Sequence, residues 1–117
     1  MSCEILLGGP VKATPDGLVT EAITAKAVLV SSTPYAVAAD DWFIAVDASA
    51  GAVTINLPAA AGLEGRMLHV KKIDGTANNV IIDGSGTETL DDGLTATIKK
   101  QYESVHLICD GTEWWII

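Results

Sequence analysis

Positive charge is scarce in this chain. Only 7 Lys and Arg stand against 15 Asp and Glu, a formal net charge of −8 over 117 residues. A chain so poor in cations lacks the broad basic footprint that neutralises a row of phosphates, so the expectation is a protein with no nucleic-acid partner. Cysteine is equally sparse: Cys3 and Cys109 lie near opposite ends without metal-type spacing, and read as two unpaired thiols rather than a disulfide. No stretch approaches the roughly 20 apolar residues of a membrane helix. The start of the chain lacks a basic segment ahead of an apolar core and cleavage site, so the expectation is a soluble, unexported protein with no membrane partner.

Catalytic and cofactor signatures are missing as well. Gly8-Gly9-Pro10-Val11-Lys12 has neither the spacing nor the following Ser/Thr of a phosphate loop, and there is no G-x-S-x-G elbow. Asp40-Asp41 and Asp91-Asp92 are close acidic pairs, but each falls in a turn context, where solvated carboxylates are the common outcome. Asp83-Gly84-Ser85-Gly86-Thr87-Glu88 spaces oxygen side chains as a calcium loop does, yet lacks the full acidic series and flanking helices, and reads as a turn. His69 and His106 sit in expected strands without further ligands at metal spacing. The chain is therefore expected to have no catalytic set, no metal and no cofactor.

What the chain does have is apolar residues, 49% of the total, against 19% charged. The charged share lies below the usual quarter. A domain this small has much surface to cover, so the excess of apolar residues points to burial by association. Length allows one domain. The order of apolar runs and turns specifies an all-β fold. From Tyr35 onward, runs of about four to seven residues alternate with turns rich in Asp and Gly: Trp42–Val46, Val53–Leu57, Met67–Ile73, Val80–Ile82, Leu94–Ile98, Ser104–Cys109 and Glu113–Ile117. Leu18 to Val30 also alternates, with Ile23, Ala25, Ala27 and Leu29 on one side and Thr24, Lys26 and Val28 on the other, which reads as a strand, its alanines leaving a helix open. The expected architecture is a small sandwich or jelly-roll-like barrel of about seven to nine strands with an N-terminal arm. No internal repeat of fixed length is visible, which disfavours a solenoid within one chain.

The final stretch, Ser104 to Ile117, reads as two strands joined at Asp110-Gly111, a pair that supplies the positive φ of a tight hairpin. It ends on Trp114-Trp115-Ile116-Ile117, four apolar residues that need cover. Neighbouring strand residues face opposite ways, so one tryptophan packs inward and the other meets a subunit or a binding surface. Tryptophan can also stack on sugar rings, but core and interface are the commoner use. The residues expected to build the core and interfaces are Trp42, Ile44, Leu57, Pro58, Ile73, Ile82, Asp110, Gly111, Trp114 and Trp115.

The ordered set Trp42-Phe43-Ile44-Ala45-Val46-Asp47, Ala52-Val53-Thr54-Ile55-Asn56-Leu57-Pro58-Ala59-Ala60, Gly65-Arg66, Lys71-Lys72-Ile73-Asp74, Asn78 to Gly84, Glu88-Thr89-Leu90-Asp91 and the terminal hairpin resembles small β-rich modules of tailed-bacteriophage virion proteins, of the capsid-decoration, head-fibre or tail-fibre type. It covers Tyr35 to Ile117. The resemblance implies a structural protein, not an enzyme, that assembles as a homotrimer with sheets packed about a common axis. It also implies contact with the major capsid protein or another virion protein, in a virion assembled in the host cytoplasm. Residues 1–34 are unmatched and are assigned as the attachment arm, residues 35–117 as the trimerising module. The Met start and the lack of a shaft or heptads fit a capsid-decoration or head-fibre protein better than a full tail fibre. The alternative is a receptor- or carbohydrate-binding tail-tip module.

Overall fold

Apolar and polar residues alternate through the centre of the chain, and each alternating run becomes a strand with one face inward. A computed structural model describes residues 26–117, and its secondary structure there is all β. Nine strands follow one another: β1 (Lys26–Val30), β2 (Tyr35–Ala36), β3 (Asp41–Val46), β4 (Val53–Asn56), β5 (Met67–Lys72), β6 (Val80–Asp83), β7 (Thr95–Ile98), β8 (Ser104–Cys109) and β9 (Trp114–Ile116). They form a five-stranded sheet in the order β1-β3-β5-β8-β9 and a four-stranded sheet in the order β2-β4-β6-β7. One core takes side chains from both, among them Ile44, Val46, Leu68, Val70 and Leu107 from the first and Val53, Ile55, Val80, Ile82 and Ile98 from the second.

The connectivity differs from an antiparallel jelly roll. Through β6 the chain passes from one sheet to the other at every step, so β1, β3 and β5 pair in parallel, as do β2, β4 and β6. Parallel neighbours need a crossover, and here the crossover is a visit to the opposite sheet. The result is three stacked coils, a solenoid-like arrangement that the sequence reading disfavours. The reason is visible in the strand starts: β1, β3 and β5 begin at Lys26, Asp41 and Met67, so successive coils advance by 15 and then 26 residues. Coils of unequal length leave no period to detect. Antiparallel pairing follows: β7 on β6, β8 on β5, and β9 on β8.

Of the expected arm, only Lys26 onward is described. There β1 belongs to the larger sheet, pairing with β3 from Lys26↔Asp41 to Val30↔Val46. Its inward residues are Val30 and the partly buried Val28, while Leu29, on the side expected to be apolar, is 66% exposed. Residues 1–25, including Cys3 and the rest of the proposed attachment segment, lie outside the described residues.

The terminal hairpin forms with the register Cys109↔Trp114. Gly111 takes a φ of 94°, open to glycine and strained for other residues. The Asp110 carboxylate fixes the turn by accepting from the Thr112 and Glu113 backbone N–H groups at 2.8 Å each. Beyond β9, the segment Thr89–Asp91 covers the sheet edge: Trp114 N–H donates to the Thr89 carbonyl, and Asp91 N–H to the Trp114 carbonyl. Asp91 Oδ1 then accepts from Ile116 N–H at 2.9 Å. Capping an edge in this way removes a template for unwanted strand pairing.

Candidate functional site

The side chains expected to build the module divide between its interior and its surface. Ile44, Leu57 and Ile82 are buried core residues, and Trp114 is fully buried. Pro58 follows Leu57 at the end of β4 and is half-buried, as is Ile73 beyond β5. Asp110 is exposed and Gly111 half-buried at the hairpin tip. Trp42 and Trp115 are 46% and 43% exposed. The tryptophan that faces inward is thus Trp114, and Trp115 points outward with its indole N–H donating to Asp110 Oδ2 at 2.8 Å.

Trp42 reaches the surface through an irregularity. The register steps from Lys26↔Asp41 to Ala27↔Phe43, leaving Trp42 as the extra residue of a bulge. Bulges re-aim side chains, and this one lays the indole against His69, with ring centroids 4.4 Å apart. His69 stands opposite His106 across the β5–β8 ladder, and those rings meet edge-on at 4.5 Å. Burial, with the neighbouring His106 as a second cause, pushes the His69 pKa below its usual value, which favours the neutral ring near pH 7.

Beside Trp42 an open groove of about 320 Å³ is lined by Ala39, Asp40, Asp41, Trp42, Gly65, Arg66 and Met67. Its polar groups have partners within the fold. The Arg66 guanidinium donates to the Ala38 and Asp41 carbonyls at 3.0 and 2.7 Å. Asp41 is buried, accepting from the Tyr35 hydroxyl at 2.5 Å and the Ala38 N–H at 2.8 Å. Lys26 Nζ lies 3.2 Å from both Asp40 and Asp41. Burial works to raise the Asp41 pKa, but the Tyr35, Ala38 and Lys26 contacts outweigh it and hold the carboxyl below its usual range. Asp41 is therefore a structural carboxylate rather than the solvated loop acid expected from Asp40-Asp41.

A second polar centre gave no sign in the sequence beyond the string Lys71-Lys72-Ile73-Asp74. Lys72 points into the interior from β5 with no solvent exposure, and its ammonium donates to Asp74 Oδ2 at 2.6 Å. Asp74 also accepts from the Ala48 N–H at 2.7 Å, the Thr76 N–H at 3.0 Å and the Thr76 hydroxyl. Asn78 completes the group by donating to the Ala48 carbonyl at 2.8 Å. The network ties the β3–β4 crossover to the β5–β6 crossover. Burial acts to raise the Asp74 pKa, yet the Lys72, Thr76 and Ala48 bonds prevail and hold it far below the usual carboxylate range.

The remaining candidates are dispersed. Glu88, from the calcium-like loop, accepts from the Ala60 N–H at 3.0 Å, which staples that loop to the segment after β4. Asp91 and Asp92 both adopt positive φ in their turn. Cys109 is buried, its thiol 3.6 Å from the Ala60 carbonyl, and burial leads the causes that push its pKa up. Among the described residues, no three His, Cys, Asp or Glu side chains gather as a metal site would require. Compared with known proteins, the chain matches no family model and no curated protein.

Proposed function

We propose that the protein is a structural component of a bacteriophage virion, a capsid-decoration or head-fibre protein that binds the particle as a homotrimer. The observation that carries this reading is the set of large apolar side chains left in solvent by an otherwise acidic chain: Leu29, Trp42, Trp115 and Ile117 are 66, 46, 43 and 63% exposed. Association is the ordinary way to cover such side chains. The phage setting is drawn from the ordered motifs between Tyr35 and Ile117. Attachment to the major capsid protein, or to another virion protein, is assigned to residues ahead of β1, and three such contacts acting together raise the effective affinity.

Solution mass and co-sedimentation with undecorated capsids test this reading. The full chain is expected at three times its monomer mass and in the pellet with shells. Removal of residues 1–25 should leave the oligomer and abolish pelleting. A monomer that remains in the supernatant overturns the proposal.

A receptor- or carbohydrate-binding tail-tip module is the second reading, favoured by one observation. Trp42 offers part of an aromatic face beside the groove, a stacking surface suited to a sugar ring. A glycan hit lost in Trp42→Ala supports it, and an array without hits ends it.

A further inference from the structure

The two sheets turn very different surfaces to solvent. On the four-stranded sheet the outward positions include Thr54, Asn56, Asp83, Thr95 and Thr97, with Ile81 among them. That is an ordinary wetted face. On the five-stranded sheet the register sets Met67, Ile108 and Trp115 side by side across β5, β8 and β9. A second row runs Ala27–Phe43–His69–His106 across β1, β3, β5 and β8. Between β1 and β8 a third row joins Leu29, Ala45, Lys71 and Ser104.

Charge distribution names the occupant. The outward positions in these rows carry one fixed charge, Lys71, and no carboxylate, although the chain has 15 acids. Two copies of a chain at −8 repel each other over most of their surfaces. Turned toward one another on this sheet they bring together rows without an acid, Asp110 standing at the hairpin rim where it accepts from the Trp115 indole N–H. The central His69 favours its neutral form near pH 7. We propose that the outward face of the β1-β3-β5-β8-β9 sheet is the surface through which copies of this chain associate. The inference rests on the oligomeric reading above and assigns it a face. Five strands about 4.8 Å apart and about five residues long give a patch roughly 24 by 17 Å, about 400 Å² per copy, so three such faces turned toward a common axis bury roughly 1,200 Å² in all. That lies near the lower limit for a specific interface, where large aromatic contacts such as Trp42 and Trp115 count most.

Analytical ultracentrifugation of the full chain tests the assignment with three charge variants. Ile108→Glu is expected to be monomeric at concentrations where the parent chain is oligomeric. Lys71→Glu, at an outward strand position, should raise the dissociation constant at least tenfold by placing an acid in rows that hold none. Lys99→Glu, an exposed position outside the rows, should change it less than twofold. Circular dichroism and melting temperature establish that each variant is folded. An oligomer unmoved by Lys71→Glu, or a parent chain that is monomeric, overturns the assignment. So does a monomer whose Trp115 fluorescence is shielded from acrylamide only by added oligosaccharide. Capsid pelleting separates the two readings: an oligomer built on this face that ignores shells sinks the virion role alone, and a shell-bound oligomer unmoved by Lys71→Glu sinks this inference alone.

Discussion

Asp74 shows how a single acid can anchor two crossovers. Its carboxylate is shared among Lys72, Thr76 and the Ala48 backbone in a buried setting. Removing one partner of a buried ion pair leaves the other charge unpaired and typically costs about 3–5 kcal/mol. Asp74→Ala is accordingly expected to lower unfolding stability by about that amount in urea titrations at pH 7. The pH dependence has a definite sign. The folded-state pKa of Asp74 is depressed, so its contribution is present above the ordinary carboxylate pKa and lost progressively as pH falls through and below that value. The stability gap between parent and Asp74→Ala should therefore narrow when the titration is repeated near pH 2.

At the scale of elements, the turns depend on where a backbone comes close to its neighbour. Gly84, after β6, is buried, and a Cβ placed there would lie 2.5 Å from the Glu88 carbonyl oxygen. Backbone cannot move aside as a side chain can, so Gly84→Ala is expected to cost about 1–3 kcal/mol, read as a lower urea midpoint. At Gly86 nothing lies within 4 Å and only the positive φ resists substitution, so Gly86→Ala should cost less. Strands of this kind were legible in the sequence because their signals are local. Val53–Asn56 alternates buried and half-buried residues, and Ser104–Cys109 carries the same pattern into the hairpin. Pairing partners were not legible, because parallel neighbours such as Ile44 and Val70 are joined through a different sheet by crossovers of unequal length. The interior position of Lys72 was hidden for a related reason. Alternation places it inward, but its charge argues for solvent, and the partner that reconciles the two comes from a crossover.

For the whole molecule, the decisive property is an acidic body with one sheet face whose outward rows carry no carboxylate. On the proposed face, long-range repulsion between copies would oppose association and be screened by salt, whereas contacts among Met67, Ile108 and Trp115 would not. The screening length falls from about 30 Å at 0.01 M to about 8 Å at 0.15 M. The oligomer should therefore tighten as salt rises over this range, with sedimentation equilibrium as the measure. An interface held mainly by ion pairs would loosen instead. Part of this surface could be anticipated from composition, since an apolar excess with few charges asks for burial. Its position could not, because Trp42 reaches the face through a bulge.

The stacked coils also set the terms on which this fold can vary. Each passage between sheets is made by a loop whose length the rungs do not dictate, and doubling a flexible loop costs only about 0.6 kcal/mol. Insertions at an exposed tip such as Ser49-Ala50 leave every ladder in register, whereas one residue added inside β3 or β5 turns a core face outward. Length changes are therefore expected to be absorbed at the rims and resisted along the rungs, and the steps of 15 and 26 residues show rungs of one body joined by loops of unequal length.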